Sequence, residues 1–147
     1  MKWQVEEHKE YTQWFEAQEE GLQDEILAVV GVLTRVGPSL SRPLADTLED
    51  SKYPNMKELR VQYLGEPWRI LFAFDPMRNA ILLLGGNKTG NARWYKENIP
   101  IADRRFTDHL EALRQKREEE EKKHGHIQRK DSSAVPRKKG KNRGKNR

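Results

Sequence analysis

Apolar positions change their spacing along this chain, and the changes mark out its elements. Tyr11, Trp14 and Phe15 fall at i, i+3 and i+4, one face of a helix over about residues 9–18. Gly21 is expected to interrupt it. Leu22, Ile26, Val29, Val30, Leu33 and Val36 then extend a 3.6-residue stripe that Gly37-Pro38 ends. The two helices are expected to form a hairpin, with a short strand around Val5 before them. Residues 37–56 carry Pro38, Ser39, Ser41, Pro43 and Pro54 and read as loop. Within it, Leu44, Ala45 and Leu48 are expected to form one helical turn that patches the core.

From Lys57 the period drops to two. Leu59, Val61 and Tyr63 alternate with Glu58, Arg60 and Gln62. After Gly65-Glu66-Pro67, Trp68, Ile70, Phe72 and Phe74 alternate with Arg69, Leu71 and Ala73. A turn at residues 75–79 leads into Ala80-Ile81-Leu82-Leu83-Leu84, apolar on both faces and so the most buried strand. This pattern predicts a three-stranded antiparallel meander. A turn at Gly65-Glu66 would set Gln62 opposite Arg69 and Val61 opposite Ile70. Residues 85–91 read as a flexible loop. A third helix is expected beyond Pro100, on the stripe Ala102, Phe106, Leu110 and Leu113. The fold class expected is α+β, with two N-terminal helices and a C-terminal helix packed on a small antiparallel sheet.

Charge divides the chain at the same place as the apolar pattern. Residues 1–113 carry a net charge of −4 and residues 114–147 a net of +9, so the overall +5 describes neither part. Residues 1–113 are therefore expected to be the folded domain. Residues 114–123 contain no apolar side chain and would form a solvated helix extension. From His124 the Lys-, Arg- and Gly-rich composition cannot repay the entropy of ordering, and a disordered basic tail is expected. Arg137, Lys138 and Lys139 in it would bind RNA without sequence preference, more weakly as salt rises.

Several chemistries are excluded. With no cysteine there is no disulfide framework, thiolate metal site or cysteine nucleophile. His124 and His126 alone make no convincing metal site, so no metal and no small-molecule cofactor are expected. The N-terminus lacks an apolar signal region, and the longest apolar run, near residues 26–33, is far short of the roughly 20 needed to span a bilayer. A cytoplasmic protein without a membrane partner is the expectation. Gly85-Gly86-Asn87-Lys88-Thr89-Gly90 lacks the spacing of a P-loop.

What remains is a set of cations and aromatics. Strand alternation sends Arg60 and Arg69 to the sheet face away from the core, expected to be open, near a glycine-rich loop carrying Lys88. A guanidinium fork matches phosphate geometry and keeps its charge. The bland alternative pairs Arg60 with Glu58 as surface solvation. Trp94 and Tyr95, flanked by Arg93 and Lys96, are candidates for stacking on RNA bases. His109 reads as a partly packed helix residue, and Trp3, Trp14 and Trp68 as core.

The blocks Lys57-Glu58-Leu59-Arg60-Val61, Gly65-Glu66-Pro67-Trp68-Arg69-Ile70-Leu71-Phe72-Ala73-Phe74 and Ile81-Leu82-Leu83-Leu84-Gly85-Gly86-Asn87-Lys88 occur in that order after two helices. So arranged, the chain resembles the RelE/ParE toxin superfamily, and within it the HigB-like, phage-derived branch. Arg93-Trp94-Tyr95-Lys96 and Ile99-Pro100-Ile101-Ala102-Asp103 resemble that branch too. The resemblance implies a small α+β unit that is the toxin of a type II toxin–antitoxin pair, an endoribonuclease cutting mRNA on the ribosome. It also implies a helix-turn-helix antitoxin as partner. The catalytic positions it implies are Lys57, Arg60, Arg69 and Lys88, with Tyr95 as a looser match. Lys57, Lys88 or Tyr95 would serve as base, each needing a depressed pKa, because no histidine lies between His8 and His109. The chain has Gly86-Asn87-Lys88-Thr89 where relatives carry two lysines. A ParE-like gyrase inhibitor, or an inactive binding protein, is the alternative.

Overall fold

The alternation between residues 56 and 87 produces three long antiparallel strands, and two short strands extend the sheet on either side. The computed structural model describes residues 2–134, with side chains described to residue 125. The elements are β1 (Val5–Glu7), α1 (Lys9–Glu16), α2 (Glu20–Val36), β2 (Ala45–Thr47), β3 (Met56–Tyr63), β4 (Glu66–Phe74), β5 (Ala80–Asn87) and α3 (Trp94–Ala134). The sheet order is β1-β5-β4-β3-β2, with β1 parallel to β5 and the other pairs antiparallel. The short strand expected at Val5 is therefore present. The α+β class and the helix-on-sheet packing are as expected. Contacts divide the chain into two units, Met1–Leu110 and Glu111–Arg147.

In the first unit each face of the sheet carries its own core. Leu59, Val61, Ile70, Phe72, Ala80 and Leu82 face α1 and α2, packing on Tyr11, Leu22, Ile26 and Leu33. Met56, Leu71, Ala73, Ile81, Leu83 and Leu84 face the first turns of α3, packing on Trp94, Ile99, Ala102 and Phe106. The face expected to be open is thus mostly roofed by α3. β5 is apolar on both sides because it serves both cores. A bulge between its pairings with Leu71 and Phe72 sends Leu83 and Leu84 to the same core. Arg105 reaches from α3 and donates through Nη1 to the Leu83 carbonyl at 2.8 Å, satisfying the bulged backbone.

Five local expectations are corrected. First, the hairpin turn is Leu64-Gly65, not Gly65-Glu66. Leu64 (φ 51°) and Gly65 (φ 78°) both take left-handed backbone, the requirement of a tight type I′ turn with glycine second. Arg60 therefore pairs with Arg69, and Val61 with Trp68. Second, Ala45 to Thr47 is a strand on β3 rather than a helical turn, with Ala45 opposite Leu59.

Third, Gly85 to Asn87 continue β5 instead of opening a loop. The two glycines alternate across the sheet and a tryptophan lies against each. A Cβ on Gly85 would come within 2.3 Å of the Trp14 ring, and one on Gly86 within 2.9 Å of the Trp94 ring. Fourth, α3 starts at Trp94, with Pro100 inside it. Asn91 starts the helix, its Oδ1 accepting from the Arg93 N–H at 3.0 Å. Pro100 removes only the ladder hydrogen bond that would reach the Lys96 carbonyl. Gly21 does not interrupt a helix either: the break falls at residues 17–19, before α2.

In the second unit the described part continues as helix. Its side chains from Arg114 to Glu121 are exposed or half-exposed, and Arg114 pairs with Glu111 and Glu118 one turn away on either side. Arg137, Lys138 and Lys139 lie outside the described residues.

A strand at residues 85–87 has a consequence that a loop would not. Gly85→Ala should lower the free energy of unfolding by about 1–3 kcal/mol through overpacking against Trp14, whereas Gly31→Ala, in α2 with open space around its Cα, should be neutral or stabilising. Urea denaturation of the two variants checks it.

Candidate active site

Glu58 and Arg60 stand two apart on β3 and project from the same sheet face. The register brings Arg69 directly beside Arg60 on β4. Two guanidinium groups so placed would repel one another, and Glu58 separates them electrostatically. Its Oε2 lies 3.2 Å from Arg60 Nη1 and its Oε1 lies 3.6 Å from Arg69 Nε. Glu58 and Arg69 are almost fully buried, at 3% and 4% exposure, while Arg60 is half-buried.

Tyr95 closes the group from the first turn of α3. Its hydroxyl donates to Glu58 Oε1 at 2.7 Å and accepts from Arg69 Nε at 3.2 Å. Arg69 Nη1 also donates to the Trp68 carbonyl at 3.0 Å, fixing the plane of the guanidinium. Lys88, just after β5, holds its Nζ 5.7 Å from the centre of the Tyr95 ring. The cluster sits where the sheet emerges from under α3.

Burial, followed by the hydrogen bond to Glu58, pushes the Tyr95 phenol above its ordinary value; the Arg69 hydrogen bond pulls the other way and loses. The depressed pKa that would suit Tyr95 as a base is therefore the reverse of what its surroundings produce. A phenol held protonated is a hydrogen-bond and proton donor.

The sequence-predicted residues separate into groups. Arg60, Arg69, Lys88 and Tyr95 come together. Lys57 does not: it lies on the face of Leu59 and Val61, and its Nζ donates to the Pro38 carbonyl at 3.0 Å. Strand alternation already places it there. Trp94 is 5% exposed and packed in the second core against Gly86, so it offers no face for base stacking. Arg93 and Lys96 are exposed on the first turn of α3, Arg93 4.0 Å from Glu97.

Glu58 is the member that reading the sequence for cations passes over. Its spacing from Arg60 permitted only a surface pair, and burial makes it the centre of the cluster. His109 likewise has a partner, its Nε2 2.8 Å from Oδ2 of the buried Asp75.

The profile of the family described as phage-derived protein Gp49-like (DUF891) matches residues 13–107. Two relatives from Mycobacterium tuberculosis (strain ATCC 25618 / H37Rv) carry the toxin names HigB3 and HigB2. The chain is 51% identical to HigB3 over 98 residues, 66% of this chain and 84% of that protein. It is 49% identical to HigB2 over 87 residues, 58% of this chain and 43% of that longer protein.

Among solved structures, a mutant of E. coli toxin RelE in the free state aligns with a TM-score of 0.47 at 5% identity, over 64% of this chain and 92% of that one. An archaeal RelE-RelB complex from Pyrococcus horikoshii OT3 aligns with a TM-score of 0.47 at 17% identity, over 63% and 100%. The class is that of the RelE/HigB-type toxins of toxin–antitoxin systems. Within it, the chain belongs to the Gp49-like family.

Two measurements probe the cluster. Arg69→Ala leaves the buried Glu58 with Arg60 as its one remaining cation in the cluster and should cost about 3 kcal/mol of stability. Replacing both residues by glutamine should cost less than the sum of the single changes, read by urea denaturation as a double-mutant cycle. In a spectrophotometric titration, Tyr95→Phe should delete one tyrosine that ionises above the ordinary range. Because the folded-state pKa is raised, the stability linked to Tyr95 is complete below about pH 10 and is lost as pH rises beyond it.

Proposed function

We propose that this protein is the toxin of a toxin–antitoxin pair and acts as a ribosome-dependent endoribonuclease on mRNA in the cytoplasm, held in check by a helix-turn-helix antitoxin. The observation that carries the proposal is the Glu58–Arg60–Arg69–Tyr95 cluster: a carboxylate, two guanidinium groups and a protonated phenol within hydrogen-bonding reach of one another.

Each member has a role in transesterification. A scissile phosphate takes the unused donors of Arg60 and Arg69, and takes over the charge that Glu58 otherwise balances. The carboxylate, released from its ion pairs, accepts the proton of the ribose 2′-hydroxyl as that oxygen attacks phosphorus. The P–O5′ bond breaks and the leaving oxygen takes the Tyr95 proton. The proton on Glu58 returns to the phenolate along the existing 2.7 Å hydrogen bond. The products are a 2′,3′-cyclic phosphate and a 5′-hydroxyl end. The arginines stabilise the charge that develops on the phosphate oxygens, and Lys88 stabilises the transient phenolate. Arg93 and Lys96 provide backbone contacts beside the cluster. Lys57 is left out of the chemistry and Trp94 out of base stacking.

The family, and the toxin names of the M. tuberculosis relatives, support the toxin assignment. Because Arg69→Ala threatens the fold, Arg60→Ala and Tyr95→Phe are the informative variants. In a translating extract the wild type should cut mRNA to leave 5′-hydroxyl ends. Either change should lower the rate by about a hundredfold or more, with thermal stability within a few degrees of wild type. Cleavage undiminished in both variants would remove the assigned roles. No cleavage, together with inhibited supercoiling by purified gyrase, would establish the ParE-like alternative instead.

A further inference from the structure

β2 pairs with β3 over only three residues, Ala45 to Thr47 against Lys57 to Leu59. The Arg60 N–H still donates to the Leu44 carbonyl at 2.8 Å, and the edge of β3 is open from Val61 onward. A cleft of about 520 Å³ lies along it, between the residues leading into β2 and the flank of α2. Its apolar walls are Val29, Pro43, Leu44 and Val61.

Polar groups converge on one end. Arg60 uses only Nη1 in its pair with Glu58, and Arg69 uses Nε and Nη1, so Nη2 of each makes no hydrogen bond among the described residues. The exposed Gln62 amide, one donor group and one acceptor, makes no side-chain hydrogen bond among the described residues. Arg42 stands at the rim, exposed and paired with Asp46. Three arginines and one carboxylate, Glu25, line the cleft, and the carboxylates that pair with the arginines, Asp46 and Glu58, are not part of its lining.

We propose that this cleft, on the endoribonuclease reading it rests on, is a nucleoside subsite that holds the base next to the scissile phosphate. A cleft this size accommodates one nucleotide. Arg60 and Arg69 would hold its phosphate, the apolar walls would cover the two faces of the base, and Gln62 would read the base edge through its paired donor and acceptor. Arg42 would meet the next phosphate at the rim. Gln62 is then a specificity-determining residue outside the chemistry, and the open strand edge is what makes room for it.

The test is an NMR chemical-shift titration of the full chain with AMP, CMP, GMP and UMP, with inorganic phosphate as reference. At least one nucleotide should bind about tenfold more tightly than phosphate and shift the amides of Leu44 and Gln62. Gln62→Ala should bring all four nucleotides within about threefold of one another. Arg42→Ala should weaken all four and keep their order. Nucleotides that bind no better than phosphate, or a ranking that survives Gln62→Ala, overturn the subsite. If mRNA is still cut in that case, the endonuclease reading stands without it. Ranked nucleotide binding with no cleavage would remove the endonuclease reading and leave a nucleotide site.

Discussion

One buried carboxylate sets the terms for the rest of the site. Glu58 occupies the interior between two guanidinium groups that strand pairing forces side by side, and without it the register at Arg60 and Arg69 would carry an unscreened repulsion. Burying a charge is costly unless its partners are close and fixed. The turn at Leu64-Gly65 fixes the register, the Trp68 carbonyl fixes Arg69, and the first turn of α3 supplies the phenol. The hairpin, the sheet and the third helix thus meet in one electrostatic arrangement. Its cations are neutralised internally.

The two cores explain why the cluster sits where it does. α3 covers the sheet over Met56, Leu71, Ala73, Ile81 and Leu83, and the polar ends of β3 and β4 emerge beside its start. The alternation of Gly85 and Gly86 lets Trp14 and Trp94 close on the two faces of β5. Trp94 thereby anchors the helix end that carries its neighbour Tyr95. A residue expected to touch RNA instead holds in place the residue beside it.

Much of this was legible in residue spacing, because burial imposes it. The stripes of α1 and α2 and the alternation of β3 and β4 follow directly from which side chains must leave water. Alternation alone puts Glu58 and Arg60 on one face and Lys57 on the other, although the resemblance groups Lys57 with Arg60. What spacing could not supply were choices made by backbone and by distant neighbours. The left-handed pair Leu64-Gly65 moved the register, and two tryptophan rings turned a glycine-rich stretch into strand. Asn91 began a helix that Pro100 made it natural to start later. Glu58 escaped notice because an acidic residue beside arginines is ordinarily solvated, and only tertiary burial distinguishes this one.

The shortness of β2 also bears on how the molecule avoids itself. An unpaired strand edge offers N–H and C=O groups to any second chain that arrives in extended form, and two copies could join there into a continuous sheet. Along the open edge of β3, Arg42 and Arg60 put positive charge where that second edge would have to lie. A copy approaching in antiparallel fashion brings the same cations with it. These cations therefore act against self-association along the edge.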